Sequence, residues 1–164
     1  MNVLPRSVAL GAVLFALAGC GAEGVECTAI GSPAGVSVDV RAPDAARVAS
    51  AALRVCWGGS CREPAIELRP SSVTVPLGCE GPEPDAACGA SASPDGGKTG
   101  FAPVKGLPKT PVQVTLTLSD ARGGTLVEQS VRVTPEATFP NGEDCAEGGP
   151  QVALTVAGGA VTAG

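Results

Sequence analysis

The chain has 164 residues, a formal net charge of −5 at pH 7, seven cysteines, no histidine and no tyrosine. Its acidic and basic residues are scattered and form no basic patch, so nucleic acid is excluded as an expected partner. Without histidine, Ser-His-Asp and Cys-His catalytic sites cannot be built. The composition therefore excludes the histidine-dependent catalytic sites that are commonest in hydrolases.

Residues 1–19 have the three parts of a secretory signal. Arg6 is the only basic residue in this segment, residues 8–17 form an apolar run, and small residues follow. The run is shorter than the roughly 20 apolar residues of a membrane-spanning helix. We therefore expect a leader that is removed rather than a permanent transmembrane anchor.

The leader ends in Leu17-Ala18-Gly19-Cys20, which resembles the lipobox of bacterial lipoproteins. The resemblance implies that a diacylglycerol alkylates the thiol of Cys20 and that Cys20 becomes the first mature residue. The abundance of Ala, Gly, Pro and Val is similar to that of actinobacterial lipoproteins. A lipid anchor on the extracytoplasmic face of the cell membrane is what the resemblance implies. The alternative is ordinary secretion, because Ala16-Leu17-Ala18 also fits a small-x-small signal and would place cleavage before Gly19.

The other cysteines support lipidation, because an even number remains once Cys20 is removed, as disulfide pairing in an exported chain requires. Zinc is the other use of such residues, but the chain has no CxxC pair and no histidine, so no metal or cofactor is expected. Calcium is not expected either, because the aspartates form no contiguous loop of oxygen ligands. The six remaining cysteines are Cys27, Cys56, Cys61, Cys79, Cys88 and Cys145.

After a short tether at residues 20–26, alternation predicts strands. Residues 36–41 place three valines on one face and polar side chains on the other. Residues 44–52 fit a helix or a strand, and we interpret residues 48–57 as mostly strand because of their alternating end. Trp57 is expected to lie in the core, with a ligand platform as the alternative.

Gly58-Gly59 predicts a two-residue hairpin turn after that strand. In such a hairpin Trp57 faces Ser60, so Cys56 faces Cys61 as a non-hydrogen-bonded pair, close enough to form a disulfide.

Two further strands are predicted, one around Ile66 and Leu68 and one in which Val73, Val75 and Leu77 share a face. Residues 78–100 are rich in Cys, Pro, Gly and acids, so they predict a surface loop stapled by a Cys79–Cys88 disulfide. This loop is our candidate binding site, since loops on rigid scaffolds often carry function; plain solvation is the alternative. Its candidate residues are Glu80, Glu83, Asp85, Asp95 and Lys98.

Residues 101–107 predict a short edge segment or crossover, and residues 112–118 predict a strand by strict alternation. A turn at 120–124 returns the chain along 126–133, where the pattern slips and indicates a bulge or an inward-facing Gln129. Residues 152–156 predict the last strand. Cys27 and Cys145 each precede a Gly/Pro-rich turn and a strand, so a disulfide between them is expected to tie the first strand to the last.

These elements predict an all-β fold: an antiparallel, immunoglobulin-like β-sandwich of about seven strands, stapled by disulfides, in one domain at residues 27–164. The resemblance is architectural, because Cys56 adjoins Trp57 instead of lying a strand away. Function cannot be carried over from it.

The expected function is a non-catalytic binding or structural module of the cell envelope, with an envelope protein or a wall component as its partner. The alternative is an envelope enzyme or a small-ligand carrier that uses carboxylates, for which Glu63 with Glu67 or Glu143 with Asp144 are the candidate pairs. Solvation on a polar strand face or in an acidic turn explains both pairs, so an enzyme is not expected. A large internal apolar cavity with a few polar groups would favour the carrier.

Overall fold

The computed structural model describes residues 26–164; the leader, the Leu17–Cys20 motif and most of the tether lie outside the described residues. Nine strands and one short 3-10 turn make up the regular structure of the described part. They are β1 (Gly35–Val40), η1 (Asp44–Ala46), β2 (Ser50–Trp57), β3 (Ser60–Arg62), β4 (Arg69–Cys79), β5 (Cys88–Pro103), β6 (Val112–Ser119), β7 (Thr125–Val133), β8 (Gln151–Ala157) and β9 (Ala160–Ala163).

The strands form two sheets. One has the order β4-β5-β1-β8-β9 and the other the order β3-β2-β6-β7. Neighbouring strands are antiparallel with one exception, since β1 and β8 run parallel in register from Gly35 beside Gln151 to Val40 beside Val156. The all-β, two-sheet, disulfide-stapled fold is therefore confirmed, with nine strands rather than about seven; the immunoglobulin-like assignment stays a prediction.

Alternation along the strands builds the core. In β1 and β6 every second residue is apolar, so each strand turns one continuous aliphatic face toward the other sheet. Val38 and Leu116, one from each sheet, are both fully buried. Trp57, at the end of β2, is half-buried and packs against this core with the guanidinium of Arg62 5.2 Å from the ring centre. Its expected core position is thus met only in part.

Both Gly-Gly pairs make hairpin turns. Gly58 and Gly59 have φ of 55° and 77°, which is the left-handed backbone that a two-residue turn between twisted strands requires. Gly158 and Gly159 repeat this geometry between β8 and β9, a hairpin that the strand pattern did not predict.

The structure pairs all six remaining cysteines as the turns and spacings predict. Cys56 faces Cys61 across the β2–β3 hairpin, and the S–S distance is 2.02 Å. Cys79 joins Cys88, and Cys27 joins Cys145 across 118 residues of sequence.

The N-terminal segment is clamped to the end of the sandwich at which β1 begins. Beside the Cys27–Cys145 disulfide, the side-chain amide of Asn141 donates to Ile30 O at 3.0 Å and accepts from Ile30 N at 3.1 Å. Gly149 N donates to Ser32 O at 2.7 Å. We call this region, residues 27–35 with 138–150, the clasp.

The strand predicted at residues 48–57 is confirmed as β2, which begins at Ser50. Residues 44–52, which fitted a helix or a strand, are neither one helix nor one strand, because a 3-10 turn ends at Ala46. Other predicted elements differ from the structure. The strand predicted around Ile66 and Leu68 is wrong: residues 63–68 are irregular and cross from one sheet to the other. Ile66 and Leu68 pack against the core beside Gly100, where a Cβ would lie 2.6 Å from the backbone oxygen of Glu67.

Further differences concern β4 and β5. Residues 78–100 are not a loop, because β5 runs from Cys88 to Pro103 and pairs with β4 along most of its length. Only residues 80–87 connect the two strands. Of the two alternatives for residues 101–107, the edge segment is wrong, since residues 101–103 extend β5, which pairs with β1 in the middle of its sheet. The crossover is confirmed for residues 104–107, which lie in the connection from β5 to β6 of the other sheet.

The slip in β7 has the two origins that the pattern offered as alternatives. The register shifts between Leu118 and Ser119, where Val127 and Thr125 are the partners and Leu126 is the additional residue. The carbonyl oxygen of the Gln129 side chain also accepts a hydrogen bond from Val161 N at 2.7 Å. This bond links β7 to β9 and closes one side of the sandwich.

Candidate functional site

A two-stranded arm, residues 71–95, projects from the sandwich. Strand β1 pairs with β5 only over residues 98–103 of β5, so residues 88–95 have β4 as their neighbour within the described structure. From Ser72 to Cys79 the arm extends roughly 23 Å, at about 3.3 Å per residue. Two strands alone are only marginally stable, and the Cys79–Cys88 disulfide holds their far ends together.

The arm leaves the sandwich at the end opposite the clasp. Gly35 at the start of β1 pairs with Pro103, whereas Val40 at its end pairs with Lys98, and β5 reaches the arm on the Lys98 side. The clasp and the arm tip therefore lie at opposite ends of the molecule.

One face of the arm carries an exposed aliphatic row. Val73 and Val75 pair with Ser93 and Ser91, and paired residues share a face. Leu77 lies on this face as well, because a Cβ on Gly89 would be 3.4 Å from the Cβ of Leu77. The exposed fractions of Val73, Val75 and Leu77 are 49%, 39% and 68%. We call these three residues the aliphatic ridge.

The aliphatic ridge lies on a strand that the sequence predicts. The strand in which these side chains share a face is confirmed as β4, but the face is exposed to solvent, whereas the alternating valines of β1 are fully buried in the sandwich. Isolated exposed aliphatic residues are ordinary, whereas a contiguous group of them often marks an interaction surface. The strand pattern is therefore present in the sequence, but the exposure of its apolar face is not.

A proline in each strand of the arm limits hydrogen bonding to an added strand at both free edges. Pro76 pairs with Ala90, and Pro94 pairs with Ser72. Because proline has no N–H, it fits a ladder only where its nitrogen points away from the neighbouring strand. Each free edge of the arm thus has one position that cannot donate a hydrogen bond to an added strand.

The candidate binding residues divide into two groups. Glu80, Glu83 and Asp85 lie exposed in the connection at the arm tip. Asp95 and Lys98 lie at the base of the arm and bond to the scaffold instead: Lys98 Nζ donates to the carbonyl oxygen of Val48. The five residues therefore do not form one binding loop.

Asp95 stabilises the turn where the arm joins the sandwich. Ser71 Oγ donates to Asp95 Oδ1 at 2.6 Å, and Gly97 N donates to the same oxygen at 2.9 Å. These bonds, that of Ser71 first, hold the pKa of Asp95 below its usual value of 3.8. Since the pKa is lowered by folding, this stabilisation is present above the unfolded-state pKa and is lost as the pH falls through the folded-state pKa.

Two surface grooves flank the crossing segment 63–67. One, of about 610 Å³, lies beside Arg69, Thr99 and Phe101; the other, of about 590 Å³, lies over Arg54 and Thr117. Both are open to solvent, whereas a small-ligand site usually encloses most of its ligand. They do not provide the internal cavity that would favour a carrier.

The candidate acid and base pairs lie on the surface. Glu67 forms an ion pair with Arg69 at 3.3 Å, and Glu63 is exposed. Glu143 and Asp144 are exposed in a turn of the clasp. Within residues 26–164, no three His, Cys, Asp or Glu side chains converge on a point that could hold a metal ion.

Over the same residues, no helix is long and apolar enough to cross a membrane. Comparisons of the chain with protein-family models, curated proteins and solved structures find no match.

Proposed function

We propose that the protein is a lipid-anchored, non-catalytic binding module on the extracytoplasmic face of the cell membrane, and that its arm binds a protein of the cell envelope. The observation that carries the binding role is the aliphatic ridge on an arm that stands outside the sandwich. Aliphatic side chains favour a protein surface over a wall polysaccharide, because they supply apolar contact area and no hydrogen bonds.

Two features support the lipid anchor. Leu17 to Cys20 resembles a lipobox, and the three disulfides use the six other cysteines, which leaves Cys20 for lipidation. The layout of the molecule suits this role, because the chain enters the fold at the clasp and the arm extends from the opposite end. Anchored through Cys20, the domain would present its arm away from the membrane.

We expect the native protein to partition into detergent and the variant Cys20→Ala to remain unprocessed or appear in the medium. One acyl chain binds membranes marginally, whereas two or more anchor firmly, so loss of the diacylglycerol should remove the anchor. Fractionation and intact mass measure this outcome. The variant Cys20→Ser is a second control with nearly unchanged side-chain size, and an unmodified N-terminus at Gly19 in the native protein would contradict lipidation.

A photo-crosslinking amino acid at position 75 should link the full-length protein in its native membrane to one other protein, whereas the same probe at position 74 should not. Val75 lies on the aliphatic ridge, and Thr74 lies on the opposite face of the same strand. Gel electrophoresis of the irradiated samples measures the adduct, and thermal denaturation shows that both variants are folded.

Other crosslinking results would contradict the proposed arm interface. Equal adducts from positions 74 and 75 would remove the preference for the ridge. Adducts only from outward positions on β6, at Gln113, Thr115 or Thr117, would place the binding surface on the sheet face. An absence of adducts from position 75 would contradict binding through the ridge.

A further inference from the structure

The arm carries charge of one sign. No Lys or Arg occurs between residues 70 and 97, and the acidic residues of that stretch are Glu80, Glu83, Asp85 and Asp95. Asp95 is bonded at the base of the arm. The four ion pairs found within the described structure involve other acidic residues. The three tip carboxylates belong to exposed residues and lie beside the end of the aliphatic ridge.

The shape of the arm face is uneven. The aliphatic ridge occupies the β4 side, whereas the β5 side of the same face carries only Gly89, Ser91 and Ser93. The three large side chains therefore stand above a low flank of small ones. Because Pro76 and Pro94 interrupt the free edges, strand addition is disfavoured, and the raised ridge is the better contact surface.

A second copy of the chain fits this face poorly. A two-fold axis along the arm would place the ridge of one copy over the low flank of the other, but it would also bring both acidic tips together. A two-fold axis across the arm would separate the tips, but it would place ridge against ridge. Both symmetric arrangements thus incur a cost, from charge repulsion in the first and poor packing in the second.

We infer that the partner is a protein with an apolar groove whose end is bordered by Lys or Arg side chains, and that the arm lies in it with the ridge buried and the tip carboxylates against the basic border. Apolar burial supplies affinity, and charge complementarity fixes which way the arm lies. This inference depends on the proposed binding function and specifies the chemistry of the partner.

Two synthetic amphipathic helical peptides test the charge requirement. Both carry the same shallow stripe of alanine between leucines; lysines border the stripe in one peptide and glutamates in the other. At low salt the lysine peptide should bind the disulfide-bonded protein about tenfold more tightly, and high salt should reduce that preference. Fluorescence anisotropy of labelled peptides measures both affinities.

Matched variants identify the surface. Neutralising the tip with Glu80→Gln, Glu83→Gln and Asp85→Asn should remove the preference for the lysine peptide, whereas Val75→Ser should weaken binding of both peptides. Thr74→Ser, on the opposite face of β4, should change neither affinity. Equal binding of the two peptides by the unaltered protein, or no binding of the lysine peptide, overturns the inference.

The same tip substitutions separate this inference from the proposed function. In native membranes they should reduce the crosslinking yield from position 75 about tenfold, the factor expected for the lysine peptide. An unchanged yield would overturn the basic border while leaving binding through the arm intact. An adduct of twice the chain mass would overturn the inference in favour of a second copy, and an adduct with lipid would overturn it in favour of a membrane surface.

Discussion

Removal of the Cys27–Cys145 disulfide should lower the free energy of unfolding by about 5 kcal/mol, the largest effect expected of any of the three disulfides. The bond closes a loop with a sequence separation of 118 residues, and the chain-entropy model assigns about 5 kcal/mol to a loop of that length at 25 °C. Many domains have a total stability of about 5–15 kcal/mol. The double variant Cys27→Ser/Cys145→Ser is therefore expected to be close to unfolding.

Chemical denaturation of the soluble domain from Glu23 onward, produced in an oxidising compartment, measures this difference. The matched control is Cys56→Ser/Cys61→Ser, which opens a loop with a sequence separation of 5 and should cost about 2 kcal/mol in the same model. Nearly equal losses for the two double variants would contradict the entropic origin. They would indicate that the hydrogen bonds of the clasp, such as those between Asn141 and Ile30, hold the N-terminal segment without the disulfide.

The strands of the sandwich could be predicted from the sequence because burial and alternation coincide there. In β6 each apolar residue lies between polar ones, and the structure buries Val114, Leu116 and Leu118 completely. The β2–β3 hairpin was predictable for a related reason. Gly58-Gly59 fixes the turn length, and the turn length fixes which residues face each other, including Cys56 and Cys61.

The arm could not be predicted because a two-residue period shows that side chains share a face and does not show what covers that face. Val73 and Val75 alternate as cleanly as the buried valines of β1, but both are exposed in the described structure. Strand β5 was hidden for a different reason. Its outer half consists mostly of Gly, Ala, Ser and Pro, a composition that disfavours strands, and pairing with β4 overrides that preference.

The turn that precedes strand β9 has a sequence signal. Gly158-Gly159 lies between residues 152–156, which alternate, and the short segment 160–163, and it makes the same turn as Gly58-Gly59. The parallel pairing of β1 with β8 had no local signal, because the strands are separated by more than 100 residues and joined by no single turn.

The candidate site was predicted in part. The exposed acids at the tip follow from local composition, since Gly, Pro and acidic residues favour a solvated turn. The separation of Asp95 and Lys98 from that tip depends on partners distant in sequence: Ser71 for Asp95, and the backbone of Val48 for Lys98. Contacts of that kind are set by the pairing of strands, which the loop prediction had not included.

Substitution of leucine by alanine at a core position and at a ridge position should have different effects on the free energy of unfolding. Leu116→Ala should lower the free energy of unfolding by about 3 kcal/mol, because Leu116 is fully buried and its removal leaves a cavity between the sheets. Leu77→Ala should change it by less than about 0.5 kcal/mol, because Leu77 is 68% exposed. Chemical denaturation of the two variants in parallel measures the difference.

The two substitutions should affect binding affinity in the opposite order to their effects on stability. Leu77→Ala should weaken capture of the partner and of the lysine peptide, because it removes the end of the aliphatic ridge nearest the acidic tip. Leu116→Ala should leave the affinity of the folded fraction unchanged, since Leu116 lies in the core and β6 belongs to the other sheet. If Leu77→Ala instead destabilised the protein as much as Leu116→Ala, the ridge would be part of the core in solution, and the arm would have to lie against the sandwich rather than project from it.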